Sequence, residues 1–236
     1  MVFEVLLLAA LVVASDDTLA AMRPDELPRG DEVKVDTERG EVRFAAKVQH
    51  PRGKPCIDTF GQRIQAFVGC AKAGGRRTEF ADHFVFLAPA DTEAVYRGLT
   101  ALGLNTKVHY SRAEGRQRAG KDFLQGDPVA LFIAWQEGGR WVERRYEDLV
   151  QEKIRVGDQE IVRPWRPHFV FHGSGVIHQE GTGCIACPCD CPGGIIADNR
   201  LPIYEPKPTV KFDWTKAPPE GTTVIVRIRP AGDTPR

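Results

Sequence analysis

HFVFLAPADTEAVYRGLTALGLNT, residues 83–106, carries two kinds of periodicity in one stretch. Phe84 to Leu87 is an apolar run of strand length. Asp91 then stands where a helix N-cap belongs, Glu93 falls in the first turn, and Val95, Leu99 and Leu102 recur at i, i+4 and i+7 on one face. Gly103 is placed to end the helix. The spacing predicts a strand leading into one helix over about residues 92–102.

Outward from this stretch the chain reads as strands. Val33 and Val35, then Val42, Phe44, Ala46 and Val48, alternate with polar residues around Thr37-Glu38-Arg39-Gly40, the pattern of a hairpin with one wet face. Ile64 to Val68 is another strand-length run, with KAGGRR (72–77) turning before the next. VALFIAW (129–135), Gly138-Gly139 and RWVERRY (140–146) form a strong hairpin signal. HFVFHGSGVI (168–177), TVKFDW (209–214) and TTVIVRI (222–228) add strands, separated by Pro-rich joints at 164–167 and 204–209. The predicted fold class is α+β: a mostly antiparallel sheet with one prominent helix packed on it.

The N-terminus, MVFEVLLLAALVVASDD, has a ten-residue apolar run from Val5 to Ala14, too short for a bilayer span of about 20 residues. It has the length of a signal-peptide core, with Val12 and Ala14 small enough for a cleavage site and a second cut available after Ala21. Its front departs from the pattern, offering Glu4 where Lys or Arg belongs. Residues 1–21 are read as a signal peptide, 22–31 as a linker, and the mature protein as periplasmic or extracellular, beginning at Ser15 or Met22, with no transmembrane span left after cleavage. With 32 basic against 32 acidic residues the chain lacks the positive excess that nucleic acid or an anionic membrane would require.

The order HFVFLAPADTEAVYRGLTALGLNT, then a polar loop, then PVALFIAWQEGGRWVERRYEDLV, then RPHFVFHGSGVI resembles the YdjY-like domain family of exported bacterial proteins. The resemblance covers roughly residues 32–205, which includes a cysteine-rich loop at 181–194, and leaves 206–236 as C-terminal strands and tail of the same domain. It implies export and a fold. It implies no chemistry, because the family carries no established enzymatic activity, and the cysteine-rich loop is not part of its pattern.

That loop reads GTGCIACPCDCPG (181–193), placing Cys184, Cys187, Cys189 and Cys191 within eight positions. Cys184 and Cys187 make a C-x2-C step that can converge on one ion. Cys187, Cys189 and Cys191 alternate, so a turn imposed by Pro188, Pro192 and Gly193-Gly194 is needed before all four can surround a metal. The spacing matches neither the bacterial ferredoxin run nor a zinc ribbon, and no C-x-x-C-H is present for haem. Cys56 and Cys70 bring the total to six, an even number that suits three disulfides in an exported chain. Since a Cys187–Cys189 bridge would be strained, disulfides would draw Cys56 and Cys70 to the loop.

Other sites are weaker. His168 and His172, with His83 and His178 in the same part of the chain or nearby in space, are imidazole ligand candidates, set against the commoner reading of strand histidines as satisfied polar groups. KAGGRR could form an anion nest or a plain turn. Arg112, Arg116, Arg118 and Lys121 share their loop with three acids and read as a solvated face; Trp135, Trp141, Trp165 and Trp214 read as core or hairpin aromatics. No catalytic residue is assigned, as no nucleophile elbow, zinc-protease, P-loop or dinucleotide fingerprint occurs. Two functions follow. One is a non-enzymatic, disulfide-stapled accessory domain that needs no cofactor and binds a cell-envelope component. The other is a metal-holding or iron–sulfur electron-transfer protein with a redox partner, its zinc or cluster on Cys184, Cys187, Cys189 and Cys191.

Overall fold

A computed structural model describes residues 26–52, 56–57, 63–64, 67–114, 123–200 and 209–232. The signal-peptide reading, the side chain of Cys56, and Arg116, Arg118 and Lys121 lie outside the described residues.

The chain begins as expected, with β1 (Val33–Asp36) and β2 (Glu41–Val48) paired across the turn. A two-residue pair, β3 (Cys56–Ile57) and β4 (Arg63–Ile64), precedes the hairpin β5 (Val68–Ala73) and β6 (Arg76–Arg77). Strand β7 (Phe86–Asp91) runs into α1 (Thr92–Ala101), where the Asp91 carboxylate caps the helix by accepting from the Glu93 N–H at 2.8 Å. Strands β8 (Asp127–Glu137) and β9 (Arg140–Arg145) form the Gly-Gly hairpin. Next come β10 (Val150–Val156), β11 (Gln159–Pro164) and β12 (Phe169–Phe171). The expected strand over 172–177 is instead a short helix, α2 (Ser174–Ile177): Gly173 turns into the left-handed region and starts it. Strands β13 (Cys184–Cys187), β14 (Ile196–Asp198), β15 (Thr209–Phe212) and β16 (Thr223–Pro230) complete the order.

The α+β expectation is overturned by closure of the sheet. Strands β2, β16, β8, β12, β14, β13, β5 and β7 pair in succession, and β7 returns to β2, so eight strands form a closed barrel in a mostly β protein whose helices are short. Two of the eight seams, β5–β7 and β13–β14, are parallel. Closure removes the open edges that a sheet of this size would otherwise expose. Helix α1 has the predicted boundaries and buries Val95 and Leu99 in the barrel's core cluster, but it packs against a barrel and is no separate layer.

Barrel filling follows from register. Phe44, Val226 and Ile133 stand opposite one another on β2, β16 and β8, as do Val42, Ile228 and Leu131, so alternate residues fill the lumen. The opposite face of β2 is not the wet face expected: Glu41 is fully buried and Arg43 nearly so. There the Arg227 guanidinium donates to Glu41 Oε2 through Nε at 3.0 Å and Nη2 at 2.6 Å, and also binds Glu143, while Arg229 Nε reaches Glu41 Oε2 at 2.9 Å. The small sheet β11-β10-β15 docks through Phe67, Tyr146, Trp165, Phe169 and Phe212, whose rings pack largely edge to face. Leu27, in the expected linker, packs against Ala134 and Trp141. Among the described residues no helix is long and apolar enough to cross a membrane.

Candidate metal centre

The four clustered cysteines are brought together by a defect in the barrel wall. In a regular strand Cys184 and Cys187 would point to opposite faces. The ladder between β13 and β5 slips between Cys184 and Ala186, a bulge that re-aims the chain. Ile185 and Ala186 then join the barrel core, whereas Cys184 and Cys187 join Cys189, Cys191 and Phe84 in a separate buried cluster.

The anticipated turn supplies the other two thiols. Beyond Pro188 the Cys191 N–H donates to the Cys189 carbonyl at 2.7 Å, and Pro192 with Gly193-Gly194 swings the chain into β14. Asp190 anchors the turn from below: its carboxylate accepts from Tyr110 Oη at 3.0 Å and from the Leu124 N–H at 3.1 Å. On the outer side the Gly175 N–H donates to the Gly194 carbonyl at 2.8 Å. A Cβ on Gly175 would stand 2.5 Å from the Gly193 oxygen, so only glycine lets α2 approach this closely.

Among the described residues no disulfide joins Cys70, Cys184, Cys187, Cys189 and Cys191. Cys187 Sγ is 3.5 Å from Cys189 Sγ, and Cys187 also interacts through its sulfur with Cys184 and Cys191. These sulfur contacts, with burial behind them, push the Cys187 thiol well above its usual range. Cys191 moves the other way, down to about 6, because the Cys187 thiol hydrogen-bonds to it and the Arg112 guanidinium and the Gly193 N–H favour its thiolate against burial. Asp190 is pushed up to about 7, chiefly by burial. Cys70 is not part of the group. Its thiol sits in the barrel core, raised far above its usual value by burial.

This arrangement tests the fit of a metal. Four thiolates about 2.3 Å from one tetrahedral ion stand roughly 3.8 Å from one another, close to the sulfur contact observed. In an iron–sulfur cluster the thiolates bind different irons and must stand farther apart. Among the described residues no group of three or more His, Cys, Asp or Glu is already spaced around a common point for an ion. The thiols touch, so an ion would enter with loss of their protons and a slight spreading of the loop.

The remaining expected residues disperse. His168 and His172 stand at opposite ends of β12: His168 Nδ1 pairs with Asn199 Oδ1 at 2.7 Å, and His172 is buried with Nδ1 on the Ser174 N–H and hydroxyl. Because that N–H can only donate, Nδ1 carries no proton and neutral His172 holds it on Nε2. His83 meets Phe80 edge to face. KAGGRR does form a nest, yet its anion is internal: the Gly74 and Gly75 N–H groups bind the Asp91 carboxylate at 3.0 and 2.5 Å. Arg112, which the sequence placed on a solvated face, acts on Cys191. A cleft of about 650 Å³ lies outside the cluster, with Arg76 and Arg77 on one side, Gln179 on the other, and Thr182, Gly183 and Gly193 between them.

A family model, the YdjY domain, matches residues 33–229. The chain belongs to the YdjY domain family. The match runs past residue 205 to take in β15 and nearly all of β16, as it must if β16 is a barrel stave between β2 and β8. No curated protein and no solved structure matches the chain significantly.

Proposed function

We propose that this YdjY-domain protein is an exported metal-holding protein in which Cys184, Cys187, Cys189 and Cys191 bind one tetrahedral ion. The observation that carries the reading is the convergence of four buried thiols, with Cys187 in sulfur contact with the other three and no bond between them. Their near-contact spacing suits a single zinc, or a single iron if the site carries electrons, better than a cluster. Export rests on the apolar leader at Val5–Ala14. An exported protein whose clustered thiols are not bridged gains from binding an ion there, since a thiolate bound to an ion resists oxidation to a disulfide. The partner in this reading is another protein of the cell envelope.

Elemental analysis of protein purified anaerobically from its native host tests the reading. The expected result is one zinc or iron per chain, lost in Cys187→Ser, with cobalt substitution giving a thiolate-to-metal absorption band. A metal-free protein whose denatured, non-reduced mass is short of the hydrogens of two or three disulfides would overturn it and leave the stapled accessory domain standing. Iron with equal inorganic sulfide would overturn the single-ion form.

A further inference from the structure

Away from the sulfurs, two histidines far apart in sequence meet at the surface. His109 Nδ1 lies 3.2 Å from His178 Nε2, with the rings tilted at 57° and their centroids 5.2 Å apart. Neither ring is there by chance of a loose loop. The His109 strand of chain is held by Gln125, whose N–H donates to the Val108 carbonyl at 2.9 Å, and His178 closes α2 by donating its N–H to the Ser174 carbonyl at 2.8 Å. The Arg112 N–H on the Glu180 carboxylate, 3.1 Å, fastens the same two segments again.

We propose that His109 Nδ1 and His178 Nε2 are the two protein ligands of a second metal site, for a borderline divalent ion such as zinc, with water completing its shell. Two nitrogens each about 2.1 Å from a tetrahedral ion stand roughly 3.4 Å apart, close to the 3.2 Å of this hydrogen-bonded pair, so an ion takes the place of the shared proton once the rings turn to converge on it. Imidazole in place of thiolate makes this site chemically distinct from the cysteine centre, and it does not depend on that centre being filled. Both rings are exposed, so an ion reaches them without opening the fold.

A third imidazole lies near the pair. His172 is fully buried, and among the described residues its Nε2 has no hydrogen-bond partner, although its tautomer puts a proton there. A buried donor without an acceptor is destabilising. His109 is near enough for its charge to oppose protonation of His172.

The test is calorimetric titration of the full chain with zinc, starting from protein that retains only what survives dialysis against a weak chelator. Long-range ¹H–¹⁵N spectra of the imidazoles are recorded at each point. The expected result is one further equivalent of zinc whose binding shifts His109 Nδ1 and His178 Nε2, with His109→Gln and His178→Gln each weakening it by about tenfold or more. Both substitutions are at exposed positions, so the fold and any sulfur-bound ion persist. Absence of a further equivalent, or binding undiminished in both variants, overturns the proposal. A further equivalent that leaves His109 Nδ1 and His178 Nε2 unshifted does the same.

Discussion

Acidification should expose His172 as a buried base. Its pKa falls from the usual 6.5 to about 3, first because the ring is buried and then because His109 lies near. Between those two values the unfolded chain takes up a proton that the folded chain refuses, so folding loses stability as pH falls. Integrated from pH 7 to pH 5 the loss is about 2 kcal/mol, and about 3 kcal/mol by pH 4. Asp190 works in the opposite sense. Raised to about 7, it binds its proton in the folded state before the unfolded chain does, and over the same interval it gains stability of about 2 kcal/mol. Cys191, held down to about 6, loses about 1 kcal/mol over the same interval, so the native profile sums three groups and does not isolate His172. His172→Asn separates them, because an amide oxygen can still accept from the Ser174 N–H while nothing titrates. Urea unfolding at pH 7 and pH 5 is the assay, with ΔG taken at constant m-value. The variant, weaker at pH 7 for want of the ring, should respond to acidification about 2 kcal/mol more favourably than the native protein, since Asp190 and Cys191 act alike in both. Parallel responses of the two proteins, with no difference above about 0.5 kcal/mol, would refute the assignment of His172 as a neutral buried ring.

Gly175→Ala should lower stability by about 2–4 kcal/mol in urea unfolding, through a Cβ only 2.5 Å from the Gly193 oxygen and loss of the 2.8 Å Gly175–Gly194 hydrogen bond. The same variant should bind metal at the cysteines more weakly, since Gly193-Gly194 closes their turn; undiminished stability would mean that the α2 contact is loose. Arg227→Met should cost about 3 kcal/mol by leaving the fully buried Glu41 short of its main donor, and adding Glu41→Leu should recover part of that loss in a double-mutant cycle. Additive losses in that cycle would show that the two groups are not coupled.

The local elements were readable because each depends on neighbours in sequence. Asp91, Val95, Leu99 and Gly103 define α1 through capping and periodicity alone, and alternation in Val42–Val48 and Thr222–Ile228 is enough for β2 and β16. Closure was not readable. It depends on β7 pairing with β5 in parallel and β2 in antiparallel, and on β13 joining β5 to β14 through very few paired residues. Parallel seams leave no turn signature, and a strand reading Cys-Ile-Ala-Cys is too short to be told from a loop. The wet face assigned to β2 failed for a related reason: Glu41 and Arg43 are polar, but their charges are matched by Arg227, Arg229 and Asp36 brought from elsewhere in the chain.

The site divides along the same line. Spacing identified Cys184, Cys187, Cys189 and Cys191, and the prolines and glycines announced the turn that gathers the last three. What spacing could not provide was the face on which Cys184 lies. It stands three positions before Cys187, and in an unbroken strand that odd offset sends the two sulfurs to opposite sides of the wall. The bulge against β5 adds the residue that corrects the parity, while Ile185 and Ala186 still reach the barrel core. Arg112 and His109 were missed on the same ground, since each acquires its role from a partner about seventy residues or more away, Cys191 for one and His178 for the other. The chemistry of this protein is therefore written into residue types, but its geometry is set by one irregular strand. Restoring regular pairing in β13 should disperse the thiols even with every cysteine retained.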